Sequence, residues 1–402
     1  MTNAVPDLVG EAAALLPDLV ALRRDLHANP EIALQLPRTQ AAVLKALEGL
    51  DLELTTGTAC TSVIGVLRGR KDGRTWDDTV LLRGDMDALP VREDTDLPYA
   101  ADNGNMHACG HDLHTAGLVG AARLLAAHGD ELPGNVLFMF QPGEEGHDGA
   151  ETMLGEGLLD VAGAKPVASY AIHVGTSERG NFTLKPGPTG AGSNELRIVV
   201  HGKGGHGSRP VDAIDPVPAL VEIAGALQTM TTRRFGVFDP IVVTVTQLQA
   251  GEAINVIPDS ARLGATVRTL SPESIETLKI ETKRLADGIA SAHGCTAEVD
   301  FKVGYPVTVN DDAETARTRQ VLIDTFGADR VIDKPFPTMG SEDFSLVLNE
   351  VPGTFVHLGA CPPDIDPADS PSNHSARVRF DDAVLGDQAA ALATLAFTRL
   401  AG

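Results

Sequence analysis

The 402-residue chain lacks any run of about 18 apolar residues, the length a membrane-spanning helix requires, so no transmembrane segment is expected. Its first residues carry Asp7, Glu11 and Asp18 where a secretory signal would have a basic and then an apolar stretch. Cysteine is scarce: Cys60, Cys109, Cys295 and Cys361 are too few and too scattered for a disulfide framework. These absences lead us to expect a cytoplasmic, reduced protein. Cations are short as well, with 32 Lys and Arg against 55 Asp and Glu and a formal net charge of −23. Such a field repels nucleic acid and anionic membrane surfaces, so neither is expected as a partner. An anionic small molecule is still compatible, because a local cation outweighs distant charge within roughly 8–10 Å.

What is present is material for two cores. Apolar residues make up 43% and charged residues 22% of the chain, and the length exceeds what one core ordinarily organises. A helix is expected from Asp7 to His27, stopped at Asn29-Pro30, and a second from Arg38 to Leu50. Strands at Ser62–Arg68, Thr79–Arg83, Asn135–Phe140 and Ala168–Val174 then alternate with helices, one of them Asp112–His128. That rhythm predicts an α/β domain with a mostly parallel, covered sheet. After Pro186 the pattern becomes strand Glu195–His201, helix Ala213–Arg233, strands Ile241–Gln249 and Ala261–Thr269, a helix from Ser271-Pro272, and strand Thr296–Val303. This β-α-β-β-α-β order is that of a ferredoxin-like unit, inserted so that residues 1–186 and 304–402 form the first domain and 187–303 the second.

Four polar clusters follow expected strands at their carboxyl ends, the edge where open α/β sheets bind ligands. They hold Asp85 and Asp87, Glu144 and Glu145, His173, and His374. Between the first two lies MHACGHDLH. In extended backbone Cys109 and His111 would project to one face, with Gly110 allowing close approach, and a thiolate plus an imidazole suits zinc or a similar borderline ion. Alone, that pair also reads as a buried thiol beside a surface histidine. Glu144-Glu145 would repel unless compensated; flanked by Gly143 and Gly146, one carboxylate could bind metal while the other serves as general base. Alone, it also reads as a solvated acidic loop. Their convergence on one sheet edge favours the catalytic reading.

In these segments the chain resembles the aminoacylase/carboxypeptidase family of dinuclear metallohydrolases, in the branch of hippurate hydrolase and the indole-acetyl amino acid hydrolases. The matching stretches LRRDLHANPE, RGDMDALP, MHACGHDLHT, QPGEEG, AIHVG, GKGGHGSRP, AINVIPDSA, TVRTL, GSEDF and NHS run in order from about residue 22 to residue 375. The resemblance implies two divalent ions, zinc or manganese first and cobalt or nickel next, held by Cys109, His111, Glu145, His173 and His374, with Cys109 bridging. It implies Glu144 as general base, Asp87 as the residue orienting the site, His206 as a group polarising the substrate carbonyl, and Asn255 and Arg268 facing the substrate. Carboxypeptidase relatives carry a histidine ligand where Asp85 stands; in this branch the resemblance implies His111 as the compensating imidazole, and Asp85 is left out of the ligand set. The implied activity is hydrolysis of the amide bond of a small N-acylated amino acid, with a carboxypeptidase or dipeptidase, or a non-catalytic metal-binding scaffold, as the alternatives. The inserted domain is implied to act as lid and to form a homodimer, with a tetramer also compatible. His27 and Glu31 are expected to cap the first helix.

Overall fold

The structure, a computed structural model, describes residues 5–402, which cluster into two compact units. Unit 1 comprises residues up to Gly187, Val309–Phe336 and Leu346–Gly402; unit 2 comprises Pro188–Thr308 and Pro337–Ser345. Residues 337–345 fall in the first domain expected from sequence but cluster with unit 2. Backbone bonds explain the difference: the Ala191 N–H reaches the Thr338 and Gly340 carbonyls, and the Thr338 N–H reaches Thr189 O.

Unit 1 opens with helix α1, Leu8–Ala28, whose first turn is capped by the Asp7 side chain accepting from the Gly10 N–H. Its buried residues Leu8, Ala12, Leu19, Arg23 and Leu26 recur at helical spacing and define one inward face. Helix α2 is Pro37–Ala46, four residues shorter at its end than expected, because Gly49 at φ 81° takes the chain into a turn. Glu31 does not cap α1. Its carboxylate accepts from the Arg38 and Thr39 N–H groups and so caps the start of α2.

The sheet of unit 1 has eight strands: β1 Glu53–Thr56, β2 Val63–Leu67, β3 Thr79–Asp85, β4 Asn135–Gln141, β5 Ala168–Gly175, β6 Phe182–Leu184, β7 Val331–Asp333 and β8 Gly353–Gly359. Their spatial order is β1-β2-β4-β3-β5-β8-β6-β7. The β3–β4, β3–β5, β5–β8 and β6–β7 pairings are parallel and the other three antiparallel, so the expected mostly parallel α/β sheet is what forms. Strands β2, β3 and β4 are buried along their whole length, as sheets covered on both faces must be. Helices α3, His111–Ala127, and α4, Val384–Ala401, pack on each other, on α1 and on β3. Leu19, Leu118, Val119, Leu392 and Leu395 are enclosed in that core.

Unit 2 carries a four-stranded antiparallel sheet in the spatial order Val242–Ala250, Ser260–Thr269, Gly192–His201, Thr296–Val303. Numbered along the chain this is 2-3-1-4, the ferredoxin-like order. The helices Pro216–Arg233 and Pro272–Ala292 pack against it, the second capped by Ser271 as its Ser-Pro start suggests. Among the described residues no helix is long and apolar enough to cross a membrane.

Candidate metal centre and active site

The carboxyl ends of β3, β4 and β5 bring the chemistry together in unit 1. Just past β3, both Asp87 carboxylate oxygens accept backbone N–H groups, from Glu144 and from Glu145, at 3.0 Å each. That clamp shapes the turn after β4, which Gly143 and Gly146 enter and leave at φ 74° and 77°. Gly110 sits at φ 83°, where a Cβ would stand 2.3 Å from Val174 Cγ2, so only glycine passes there. Because Gly110 is left-handed and His111 already opens α3, Cys109 and His111 are not on one extended strand. The turn, rather than strand alternation, points them to the same place.

Cys109 Sγ lies 3.5 Å from His173 Nε2 and 3.3 Å from His374 Nε2. His374 Nε2 is in turn 3.1 Å from Glu145 Oε1. The ligand atoms of Cys109, His111 and His173 fall within 4.8 Å of one another, as do those of Cys109, Glu145 and His374, and those of His111, Glu144 and Glu145. The sequence-derived ligand set and Glu144 are therefore gathered at one point, with Cys109 common to two triplets. The clamped turn lets both glutamates reach His111.

These residues fit a pair of cations. His111 donates Nδ1–H to the Asp87 carbonyl at 2.8 Å, and His173 donates Nδ1–H to the Val174 carbonyl at 2.7 Å. Each ring, when neutral, is thereby held in the tautomer whose Nε2 carries a lone pair. His111 Nε2 is buried, makes no hydrogen bond and stands 3.4 Å from Asp85 Oδ2, a place that a cation would also satisfy. The donor set of one thiolate, three imidazoles and one carboxylate suits borderline divalent metals. Charges are perturbed accordingly. Hydrogen bonds that the protonated ring donates to Cys109 and then to Glu145 push His374 up to about 10. Burial favours the neutral form of Glu145, yet the His374 hydrogen bond prevails and lowers its pKa. Burial drives His173 well below its ordinary value.

A surrounding shell, only partly foreseen, holds these groups. Asp85 is buried and saturated, taking Arg83 at 2.6 Å and His114 Nδ1 at 2.5 Å. Burial opposes its ionisation, but Arg83, His111 and His114 outweigh it and keep the pKa well down. His114 Nε2 accepts the Val174 N–H at 2.8 Å, tying α3 to the strand that carries His173. Asn373 donates to the Val174 carbonyl at 3.2 Å, and the His374 N–H bonds to Ala108 O at 2.9 Å, with His374 itself at φ 71°. His114, three residues from His111 on one helix face, and Asn373, beside His374, were the signals available in sequence. His27 does not cap α1; its ring sits 2.7 Å from Asp112 and 3.1 Å from Glu93.

His206, Asn255 and Arg268 belong to unit 2. His206 is exposed, with Nδ1 accepting from the Ser208 N–H at 3.1 Å, on a short strand paired with Val256. Asn255 is exposed and its carbonyl accepts the Gly207 N–H at 2.8 Å. Arg268 bonds Thr266 Oγ1 and the Val267 carbonyl.

Known proteins share this arrangement of chain and fold. Residues 81–397 match the model of peptidase family M20/M25/M40. The chain is 37% identical over 347 residues to thermostable carboxypeptidase 1 of Saccharolobus solfataricus, covering 85% of each chain. It is 37% identical over 344 residues to N-acetylcysteine deacetylase of Bacillus subtilis, covering 85% of this chain and 88% of that one. The crystal structure of the Bacillus subtilis YXEP protein, described as a dinuclear metal binding peptidase, superposes with a TM-score of 0.83 at 31% identity, over 96% of this chain and 99% of that one. The chain belongs to peptidase family M20/M25/M40 and is a hydrolase of amide bonds.

Proposed function

We propose that the protein hydrolyses the amide bond of small N-acylated amino acids. The observation that carries this reading is the Cys109 thiol shared by two ligand triplets, with the Glu144 carboxylate beside them. Cys109, His111, Glu145, His173 and His374 would hold two divalent ions, zinc or manganese before cobalt or nickel. When bound, the ions supply Lewis acidity and make hydroxide available near neutral pH. Glu144 takes the proton from the attacking water and returns it to the departing amine. Asp87 fixes the turn that carries Glu144 and orients His111. Exposed His206 is the donor assigned to the oxyanion, and Arg268 and Asn255 are assigned to the α-carboxylate, which needs local cations on so acidic a protein. Unit 2 would serve as lid and homodimer contact; its edge strand Val242–Ala250 presents Val242 and Leu248 to solvent, an edge that chains commonly cover. All four cysteines are unpaired and buried, which supports a reducing, cytoplasmic setting.

A carboxypeptidase or dipeptidase is the second reading, favoured by the 37% identity to a thermostable carboxypeptidase. Purified protein, its metal content measured on the same sample, should release amine from N-acetyl and N-benzoyl amino acids faster than it cleaves free dipeptides. Faster dipeptide cleavage would transfer the conclusion to the second reading, and absence of bound metal at full purity would remove both.

A further inference from the structure

A row of half-buried side chains leads sideways from the candidate metal centre across the sheet of unit 1. The register sets His173 beside His357, His357 beside Thr183, and Thr183 beside Ile332. Lys334 extends the last strand, its N–H bonding to Leu184 O at 2.9 Å, and two residues from Ile332 it shares that face. The intervening residues Val174, Val356 and Phe182 are buried. His173, His357, Thr183 and Lys334 are only partly so, which makes theirs the more accessible face. Phe355, two residues before His357, supports the row with ring centroids 5.9 Å from His173 and 5.2 Å from His357.

The far end of this row is cationic. Among the described residues Lys334 forms no ion pair, and burial alone lowers its pKa with no carboxylate to offset it. In a chain with 55 acidic residues, a half-buried ammonium without a counter-charge costs free energy that a ligand anion would recover. His357, one strand from His173, has Nε2 buried without a hydrogen-bond partner. Its ring centroid lies 6.1 Å from that of His173, so a hydrogen-bonding group stands beside the candidate metal centre. Three strand spacings, about 14 Å, and two residues along the strand, about 7 Å, put the His173 and Lys334 backbones about 16 Å apart. The lysine stem shortens that span to one that a substrate with an extended acidic end can bridge.

We infer that Lys334 and His357 form an anion subsite beside the metal centre that receives a second carboxylate of the substrate, distinct from its α-carboxylate. The inference rests on the amidohydrolase reading and narrows its substrate class to N-acyl amino acids with an additional acidic end. That end belongs either to the amino-acid side chain or to a dicarboxylic acyl group, and the chemistry recognised is the same in both.

Rates for N-acetylglutamate against N-acetylglutamine, and for N-succinylalanine against N-acetylalanine, separate the two sources. The wild-type enzyme should prefer the acidic member of one pair by about 10- to 100-fold in kcat/KM, the worth of a charge-assisted hydrogen bond. Lys334→Met should abolish the preference mainly through KM, and Lys334→Arg should retain most of it. Equal rates within both pairs, or a preference unchanged in Lys334→Met, would overturn the subsite. Calorimetric titration with glutarate reads the same site without turnover. Binding that is present in the wild type and lost in Lys334→Met supports the subsite even if no substrate is hydrolysed, a result that would fault only the amidohydrolase reading. Binding that persists in the variant, or that is absent from the wild type, overturns it.

Discussion

Asp87 holds His111 through its backbone and the Glu144 turn through its side chain. The carbonyl accepts His111 Nδ1–H at 2.8 Å, while the carboxylate oxygens accept the Glu144 and Glu145 N–H groups at 3.0 Å. One residue thus sets the tautomer of one candidate ligand and the direction of another. Replacing Asp87 by Ala keeps the carbonyl contact but releases the turn, so metal affinity and activity should each fall by about 10- to 100-fold. Asn, with one acceptor oxygen, should lie between Ala and the wild type. Metal titration alongside steady-state kinetics measures both, and an Ala variant with unaltered affinity and rate would deny Asp87 this role.

Glu144→Gln tests the base without disturbing that clamp, because the backbone N–H of residue 144 still meets Asp87. Metal content should stay at the wild-type level while kcat drops by about 10²- to 10⁴-fold, the usual contribution of a positioned base. Elemental analysis and turnover on one sample decide the matter. Loss of metal would make Glu144 a ligand, and undiminished turnover would move the base elsewhere.

The clusters that sequence made visible are those in which unusual residue types crowd into a short span. Cys-Gly-His and Gly-Glu-Glu-Gly stand out because a thiol, an imidazole and adjacent acids are poor choices for an ordinary loop, and the glycines mark the turns they need. Long elements were legible for a similar reason: α1 and the helix beginning at Pro272 carry helical periodicity over 21 residues each. The short strands β6 and β7, three residues apiece, are below the length at which periodicity can be read, and β1 is exposed throughout and shows no apolar signal. The His114 partner of Asp85 and the Arg23 partner of Asp112 were hidden for a different reason. Each pairs with a residue whose place is decided by tertiary packing, as when Arg23 meets Asp112 across 89 positions of chain (112 minus 23). A charged residue on an apolar helix face, Arg23 on α1, was the available hint.

That Arg23–Asp112–His27 cluster should dominate the response of unit 1 to mutation. Arg23 Nε is 2.7 Å from Asp112 Oδ2, and both side chains are fully buried. Arg23→Met would leave Asp112 without its principal counter-charge, and losing one partner of a buried pair costs about 3–5 kcal/mol. Chemical denaturation in chelator should show a loss of that order. A loss within the surface range of about 0.5 kcal/mol would mean that water reaches the cluster.

The same cluster gives stability a pH signature. Against the opposing effect of burial, Asp112 and Glu93 raise the pKa of His27 above its ordinary 6.5. The protonated ring therefore contributes fully below 6.5, and its contribution is lost as pH rises through the elevated folded value. Burial likewise opposes ionisation of Asp112, but Arg23 and then His27 depress its pKa below 3.8, so its contribution is present above 3.8 and is lost only on acidification. The cluster is thus strongest between those two ordinary values. The stability difference between the wild type and His27→Gln should be largest in mildly acidic buffer and shrink above neutrality. A difference that grows with pH would reverse the assigned protonation.

Metal loading should release protons, and His374 is the reason. Its hydrogen bonds with Cys109 and Glu145 hold its pKa at about 10, so the metal-free ring is protonated at neutral pH and presents a donor where a ligand needs a lone pair. A cation must displace that proton, and each displaced proton makes apparent affinity rise about tenfold per pH unit while the group remains protonated. Calorimetric loading in two buffers of different ionisation enthalpy counts the protons directly. His374→Ala should bind the second ion weakly and release about one proton fewer, whereas a His374→Ala variant releasing as many protons as the wild type would place the titrating group on another ligand.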